Sequence, residues 1–328
     1  MCSPIYQTTS KYEVDWRELS KNPNAIDIIE KNLDKVDWHV LSGNPNAIHI
    51  IENNLDNVDW VVLSGNPNAI HVLKKNMDKV NFRNLSKNPS AMDIIEKNVD
   101  KVDWLYLSCN PSAISIIEKN LHKVDWSGLS YNPQAVDLLE KHMDKIDWYW
   151  LSKNPNAIHL LEKNVDKVNW YNLSSNRKAI PILEKYLDKC SMIDWKYLSA
   201  NPNAIDIIEK NLEKVDWSWL SVNPKAIHIL EKHIDKIDWG WLSGNPNGVY
   251  LFQKKLDMFD SNNINWFISD LCSNPNAMCL LFDLDYGSMK EKNHELLREL
   301  AQTVFYPDRI FRIANEYKMD IDEYLDAI

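Results

Sequence analysis

The sequence predicts an all-α fold, an α-solenoid of about twelve two-helix repeats of 22 residues, from three observations. An aromatic residue that follows Asp or Asn recurs at Trp16, Trp38, Trp60, Phe82, Trp104, Trp126, Trp148 and Trp170 in steps of 22, and Trp195, Trp217, Trp239 and Trp266 continue the series. Asn-Pro pairs run in parallel from Asn22-Pro23 to Asn274-Pro275, broken only where Arg177 follows Asn176. Between the two series, apolar residues fall at helical spacing and polar residues fill the gaps.

Residues 1–13 precede the first Asp-Trp pair and form a leader; the tandem array covers 14–285. Within one copy, Asn22 reads as a helix N-cap and Pro23 as the first helical residue. Ala25, Ile26, Ile28 and Ile29 make an apolar arc opposite Asn24, Asp27, Glu30 and Lys31. Asn32 fits a left-handed C-terminal cap. Asp37 then caps a short second helix in which Trp38 and Leu41, three apart, share an inward face. No strands are expected. Helices packed at about 8 to 10 Å make twelve layers a curved rod on the order of 100 Å long.

Two stretches depart from the period. At 176–193 Arg177 replaces the proline, Pro181 falls inside the helix, and three extra residues separate Trp170 from Trp195. An interior proline costs about 3 kcal/mol, so a kinked helix and a bend are expected there. From Gly248 the copies decay, and residues 286–328 read as a helical cap that covers the open apolar end of the array.

The units Leu151-Ser152-Lys153-Asn154-Pro155-Asn156-Ala157-Ile158 and Glu162-Lys163-Asn164-Val165-Asp166-Lys167-Val168-Asn169-Trp170 resemble the Trp-Leu-Ser and Asn-Pro-Asn-Ala-Ile repeat proteins of giant DNA viruses of amoebae. The likeness spans nearly the whole chain. Tyr306-Pro307-Asp308-Arg309-Ile310, with Tyr317 and Asp320-Ile321-Asp322, is similar to the tail of that family, with Tyr306 in place of an expected histidine. The resemblance implies a location in the infected host cell or in the virus particle; it implies no catalytic motif.

Composition narrows the function classes. The net charge is -10 and arises copy by copy, which disfavours nucleic acid as a partner because phosphate recognition needs clustered positive charge. No run of about 18 apolar residues occurs and no secretory signal opens the sequence, so neither membrane insertion nor secretion is expected and the address is intracellular. Five cysteines without CxxC spacing predict neither a disulfide frame nor a zinc site.

Three columns carry candidate chemistry. The first alternates Asp27, His49, His71 and Asp93, so in-register stacking pairs Asp27 with His49 and Asp93 with His71; a metal site there is the alternative to solvated cross-copy pairs. The second is the tryptophans, whose fixed spacing favours core packing over base stacking. The third is the variable position two residues after each tryptophan, with Tyr106, Trp150, Tyr197, Trp219 and Trp241, flanked by Tyr149 and Tyr171 in the adjacent column. Aromatic residues at a variable position supply contact area for a partner, or pack sideways on neighbouring helices. The expected function is a noncatalytic scaffold that holds another protein, without a cofactor and with self-association as a further option. Metal-dependent or enzymatic activity on the Asp/His column and single-strand nucleic-acid binding are the alternatives.

Overall fold

Each copy is built from three short pieces, which in the second copy are the helix Trp38–Leu41, a 3-10 turn at Pro45–Ala47 and the helix Ile48–Glu52. The computed structural model describes residues 6–10, 14–188, 191–254 and 268–284. Asp37 starts the Trp helix from an extended backbone, its carboxylate accepting the Val40 N–H at 3.1 Å. Asn44 starts the turn in the same way, accepting the Asn46 N–H at 3.0 Å. The proline therefore opens a 3-10 turn, and the α-helix begins three residues later, after Ala47 at φ -90° and ψ 10°. The expected left-handed asparagine cap is also replaced: Asn76 has φ -132°, and the side chains of Asn32, Asn54 and Asn76 bond back to the carbonyls of Ile28, Ile50 and Val72.

Helices this short are not stable alone in water, so packing between copies must hold them. Leu41, Ala47 and Ile51 are fully buried, as are their equivalents Leu63, Ala69 and Leu73 in the next copy. Two polar columns lock the stack. Ser42 donates its hydroxyl to the Trp38 carbonyl at 2.7 Å and accepts the Asp59 N–H of the following copy at 3.0 Å. Asn44 sends its side-chain N–H groups to the carbonyls of Ser20 and Asn22 in the preceding copy, and Asn66 repeats this on Ser42 and Asn44. Asn44, Asn66 and Asn88 are buried, at 2%, 2% and 0% exposed.

This ladder returns to its starting point. Asn274 donates to the carbonyls of Ser243 and Asn245, and Asn22 donates in turn to Cys272 and Asn274 at 2.9 and 3.1 Å. Asn24 bonds the Pro275 carbonyl at 2.8 Å, as Asn46 bonds that of Pro23. Ser269 donates to Asp15, and the helix Ile268–Ser273 lies against Trp16–Lys21. The expected open rod is corrected to a closed circuit of copies. In the last copy the helix starts at Ile268, so isoleucine takes the tryptophan's place and Cys272 the serine's. Trp266 and the helices expected in 286–328 lie outside the described residues.

The break at 176–193 leaves the asparagine ladder continuous. Asn201 reaches Ser174 and Asn176 at 3.1 and 3.2 Å, the same bonds as elsewhere, across three more residues of chain. Pro181 is the second residue of the helix Ile180–Tyr186, in the first turn, where a backbone N–H has no helical partner to lose.

Compact contacts divide the chain into residues 12–278, which hold the closed circuit, and a second unit of 1–11 with 279–328. In the second unit Tyr6–Ser10 pairs antiparallel with Phe282–Leu284, a two-stranded ribbon that the sequence did not predict.

Candidate functional site

The variable positions of the Trp helices converge into a row of touching rings. Tyr171 and Tyr197 lie 4.5 Å apart with their hydroxyls bonded at 2.8 Å, Tyr197 meets Trp219 at 5.2 Å, and Trp219 stacks on Trp241 at 5.6 Å and 27°. A second group joins Tyr131 to Trp150 and Trp150 to Tyr149. Tyr149, Trp150, Tyr171 and Trp241 keep 45%, 37%, 44% and 48% of their surface in solvent. The rings thus pack sideways across copies and still expose large apolar faces. Tyr131, five residues after Trp126, belongs to the row and was missed. Its position varies between copies as freely as the column that was singled out.

Tyr106 stands apart from the run. Lys87 sits 3.9 Å from its ring centroid, and Arg83 lies over it at 5.2 Å while donating to its hydroxyl. Gly128 interrupts the row in the following copy, because a Cβ there would come within 2.9 Å of the Leu105 carbonyl oxygen. Asn172 is buried at the same position and donates to the Tyr149 carbonyl. The hydrogen bond to Tyr197 comes first in raising the Tyr171 hydroxyl to about 12.

Among the described residues, the tryptophans that count the copies are half-buried, except for Trp170, which is buried. The core reading is corrected: the lysine nineteen residues on covers the ring, as Lys79 covers Trp60 at 4.7 Å and Lys236 covers Trp217 at 4.7 Å. These lysines are amphipathic covers rather than members of a merely solvated face.

The Asp/His column does not pair as expected. His71 bonds Glu52 and His159 bonds Glu140, both at 2.7 Å, and His228 bonds Glu209 at 2.9 Å. His49 lies 3.8 Å from Glu30, and Asp93 meets Lys74 at 3.3 Å. The carboxylate partner is thus the glutamate nineteen residues earlier, not the aspartate of the same column. Among the described residues, no group of three or more His, Cys, Asp or Glu is placed to hold a metal ion.

Two pockets border the row. One, of about 590 Å³, lies among Tyr171, Asp194, Tyr197, Lys214, Asp216 and Trp219. The other, of about 460 Å³, is walled by Val222, Asp238, Gly240, Trp241, Gly244 and Asp270. Among the described residues, no helix is long and apolar enough to cross a membrane. No protein-family model, curated protein or solved structure matches this chain.

Proposed function

We propose that this chain is a noncatalytic interaction scaffold, an α-solenoid of twelve two-helix copies closed on itself, that holds a protein partner on the aromatic row of its Trp helices. The row itself carries the reading. The leucine, alanine and isoleucine columns already satisfy the core, so the rings from Tyr131 to Trp241 are not needed to close it. Exposed tyrosine and tryptophan in two groups of touching rings supply contact area at low entropic cost, which is the composition of binding hot spots. Tyr149, Trp150, Tyr171, Tyr197, Trp219 and Trp241 are the residues assigned to the partner; Tyr106 is already occupied by Arg83 and Lys87.

The competing readings have weaker support. One-to-one histidine and glutamate pairs at the surface fit solvated bridges better than a metal or catalytic centre. A net charge of -10 opposes a nucleic-acid partner. Action in an infected host cell or in a virus particle rests on the repeat resemblance alone.

The test is affinity purification of the wild type and of the triple variant Trp150→Ala, Tyr197→Ala, Trp219→Ala from the cell in which the protein acts. A protein recovered with the wild type and lost with the folded variant supports the reading. Equal recovery with both, or measured turnover without any partner, defeats it. Recovery of a second copy of the chain in the same row-dependent way identifies self-association as the interaction.

A further inference from the structure

The chain itself shows where a cation sits on this row. Lys87 lies 3.9 Å from the Tyr106 ring centroid, Arg83 lies 5.2 Å from the same centroid, and Lys153 lies 5.5 Å from that of Trp150. They reach the ring from three positions. Lys153 is five residues after Trp148 of the ring's own copy, and Lys87 and Arg83 are five and one after Phe82, which holds the tryptophan position in the preceding copy. Around Trp241 the same three positions hold Gly244, Val222 and Ser218. None of these carries a charge, and the Ser218 hydroxyl is turned to Asp238 at 2.9 Å.

The place that a cation fills beside Tyr106 and Trp150 is here a pocket of about 460 Å³. Gly240 and Gly244 open it: a Cβ on Gly244 would find its nearest neighbour, the Trp241 carbonyl oxygen, only at 3.8 Å. Trp241 is stacked on Trp219 yet 48% exposed. Asp238 and Asp270 line the pocket, and among the described residues none that lines it is cationic. An aromatic face beside two carboxylates that have only neutral donors among the described residues is complementary in shape and charge to a planar cation.

We propose that the pocket at Trp241 takes an arginine side chain of a protein partner. The guanidinium stacks on the indole as Arg83 does on Tyr106, and its N–H donors turn to Asp238 and Asp270. Arginine fits better than lysine because its planar fork serves a ring and two carboxylates together, whereas an ammonium is a point charge. The pocket continues the row from Tyr171 through Trp219, so this inference rests on the proposed function and names the chemistry at one end of the surface.

The test uses the full chain and the peptide Ac-Gly-Arg-Gly-NH2, titrated calorimetrically beside its citrulline counterpart, which has the same shape without the charge. Weak, salt-sensitive binding of the arginine peptide is expected, with the citrulline peptide weaker by about tenfold or more. Val222→Lys and Gly244→Lys would place the chain's own ammonium on the ring, as Lys87 and Lys153 do, and should block the peptide without loss of fold. The double variant Asp238→Asn, Asp270→Asn should weaken binding by about tenfold or more and keep the helix cap, since Asn81 and Asn169 cap their own Trp helices. No binding, equal binding of the two peptides, or binding unchanged by Val222→Lys and by the double variant overturns the proposal. Each of those results leaves the scaffold reading standing if a partner is still captured through the row. Conversely, specific peptide binding without any captured partner removes the scaffold reading and leaves the site.

Discussion

Asn22 donates its side-chain amide to the backbone carbonyl of Cys272 at 2.9 Å, a contact across 250 residues of sequence. It is the bond that Asn44 makes to Ser20 and Asn132 to Ser108, made here between the last and the first copy. The seam therefore uses the geometry of every other interface, with a thiol where the others have a hydroxyl. The Cys272 sulfur accepts the Asp15 N–H, and burial comes first in raising the thiol to about 11.

The asparagine ladder should dominate stability. Asn132 is fully buried and bonds the carbonyls of Ser108 and Asn110 at 3.0 and 2.9 Å while its oxygen caps the Gln134 N–H. Asn132→Ala removes all three bonds and leaves buried carbonyls unpaired, so a loss of about 2–4 kcal/mol is expected in urea unfolding. Asn156→Ala, which removes two exposed bonds, one to the Pro133 carbonyl and one from the Lys178 ammonium, should cost about 1 kcal/mol or less.

Glycines at different positions of the Trp helix should respond differently. A Cβ on Gly128 meets backbone and sulfur at 2.9 and 3.0 Å, whereas one on Gly65 first meets a carbonyl oxygen at 3.4 Å, ordinary contact. Gly128→Ala is expected to destabilise by about 1–3 kcal/mol. Gly65→Ala, at a helix end with ordinary αR backbone, should be neutral or stabilising by up to about 1 kcal/mol in the same assay.

Asp59 should give part of the acid sensitivity. Burial pushes its carboxyl up, but the His39 hydrogen bond and the N–H groups of Val62 and Val61 outweigh it and hold the folded pKa below the ordinary carboxylate value. A depressed folded pKa means that the stabilisation is present above the unfolded value and is lost as pH falls through the folded one. Asp59→Asn keeps the cap, as Asn81 does, but lacks the charge-dependent stabilisation, so it should be less stable than the wild type at neutral pH, converge with it in acid and show a flatter profile between. Unfolding midpoints at neutral and acid pH, for both proteins, check this.

Trp219 separates binding from folding. Trp219→Ala breaks the run between Tyr197 and Trp241 but leaves the core columns intact, so a stability change of about 0.5–1.5 kcal/mol is expected alongside loss of partner capture. A large loss of stability without loss of capture would assign the row to packing.

Much of the array was legible because its chemistry repeats. Asn44 as a cap, its burial and its bonds between copies follow from its recurrence with proline and alanine, and Leu41 and Ile51 follow from helical spacing. The closure was not legible. It depends on small rotations summed over all copies, and the residues at the seam, Ile268 and Cys272, break the pattern that would have marked them. The histidine partners were misjudged because like positions were paired, whereas each histidine reaches the glutamate three residues beyond its counterpart in the preceding copy, so that His71 meets Glu52 rather than Asp93. The cation over several of the tryptophans was hidden for a related reason. Lys79 and Trp60 are distant within a copy's sequence, and only the returning chain brings them together. In the candidate site, Trp150, Tyr197, Trp219 and Trp241 were found from variability alone; the emptiness around Trp241 emerges only when the surroundings of Tyr106 and Trp150 are compared with it.

Closure is the central structural claim, and a spin-label distance tests it directly. Lys21, Gly43 and Ser273 hold the same position in the first, second and last copies. With the native cysteines replaced by serine, labels at positions 21 and 273 should give a short distance that matches the neighbouring pair at 21 and 43. A 21–273 distance several times longer, approaching the roughly 100 Å expected of twelve copies laid open, would contradict the closed circuit.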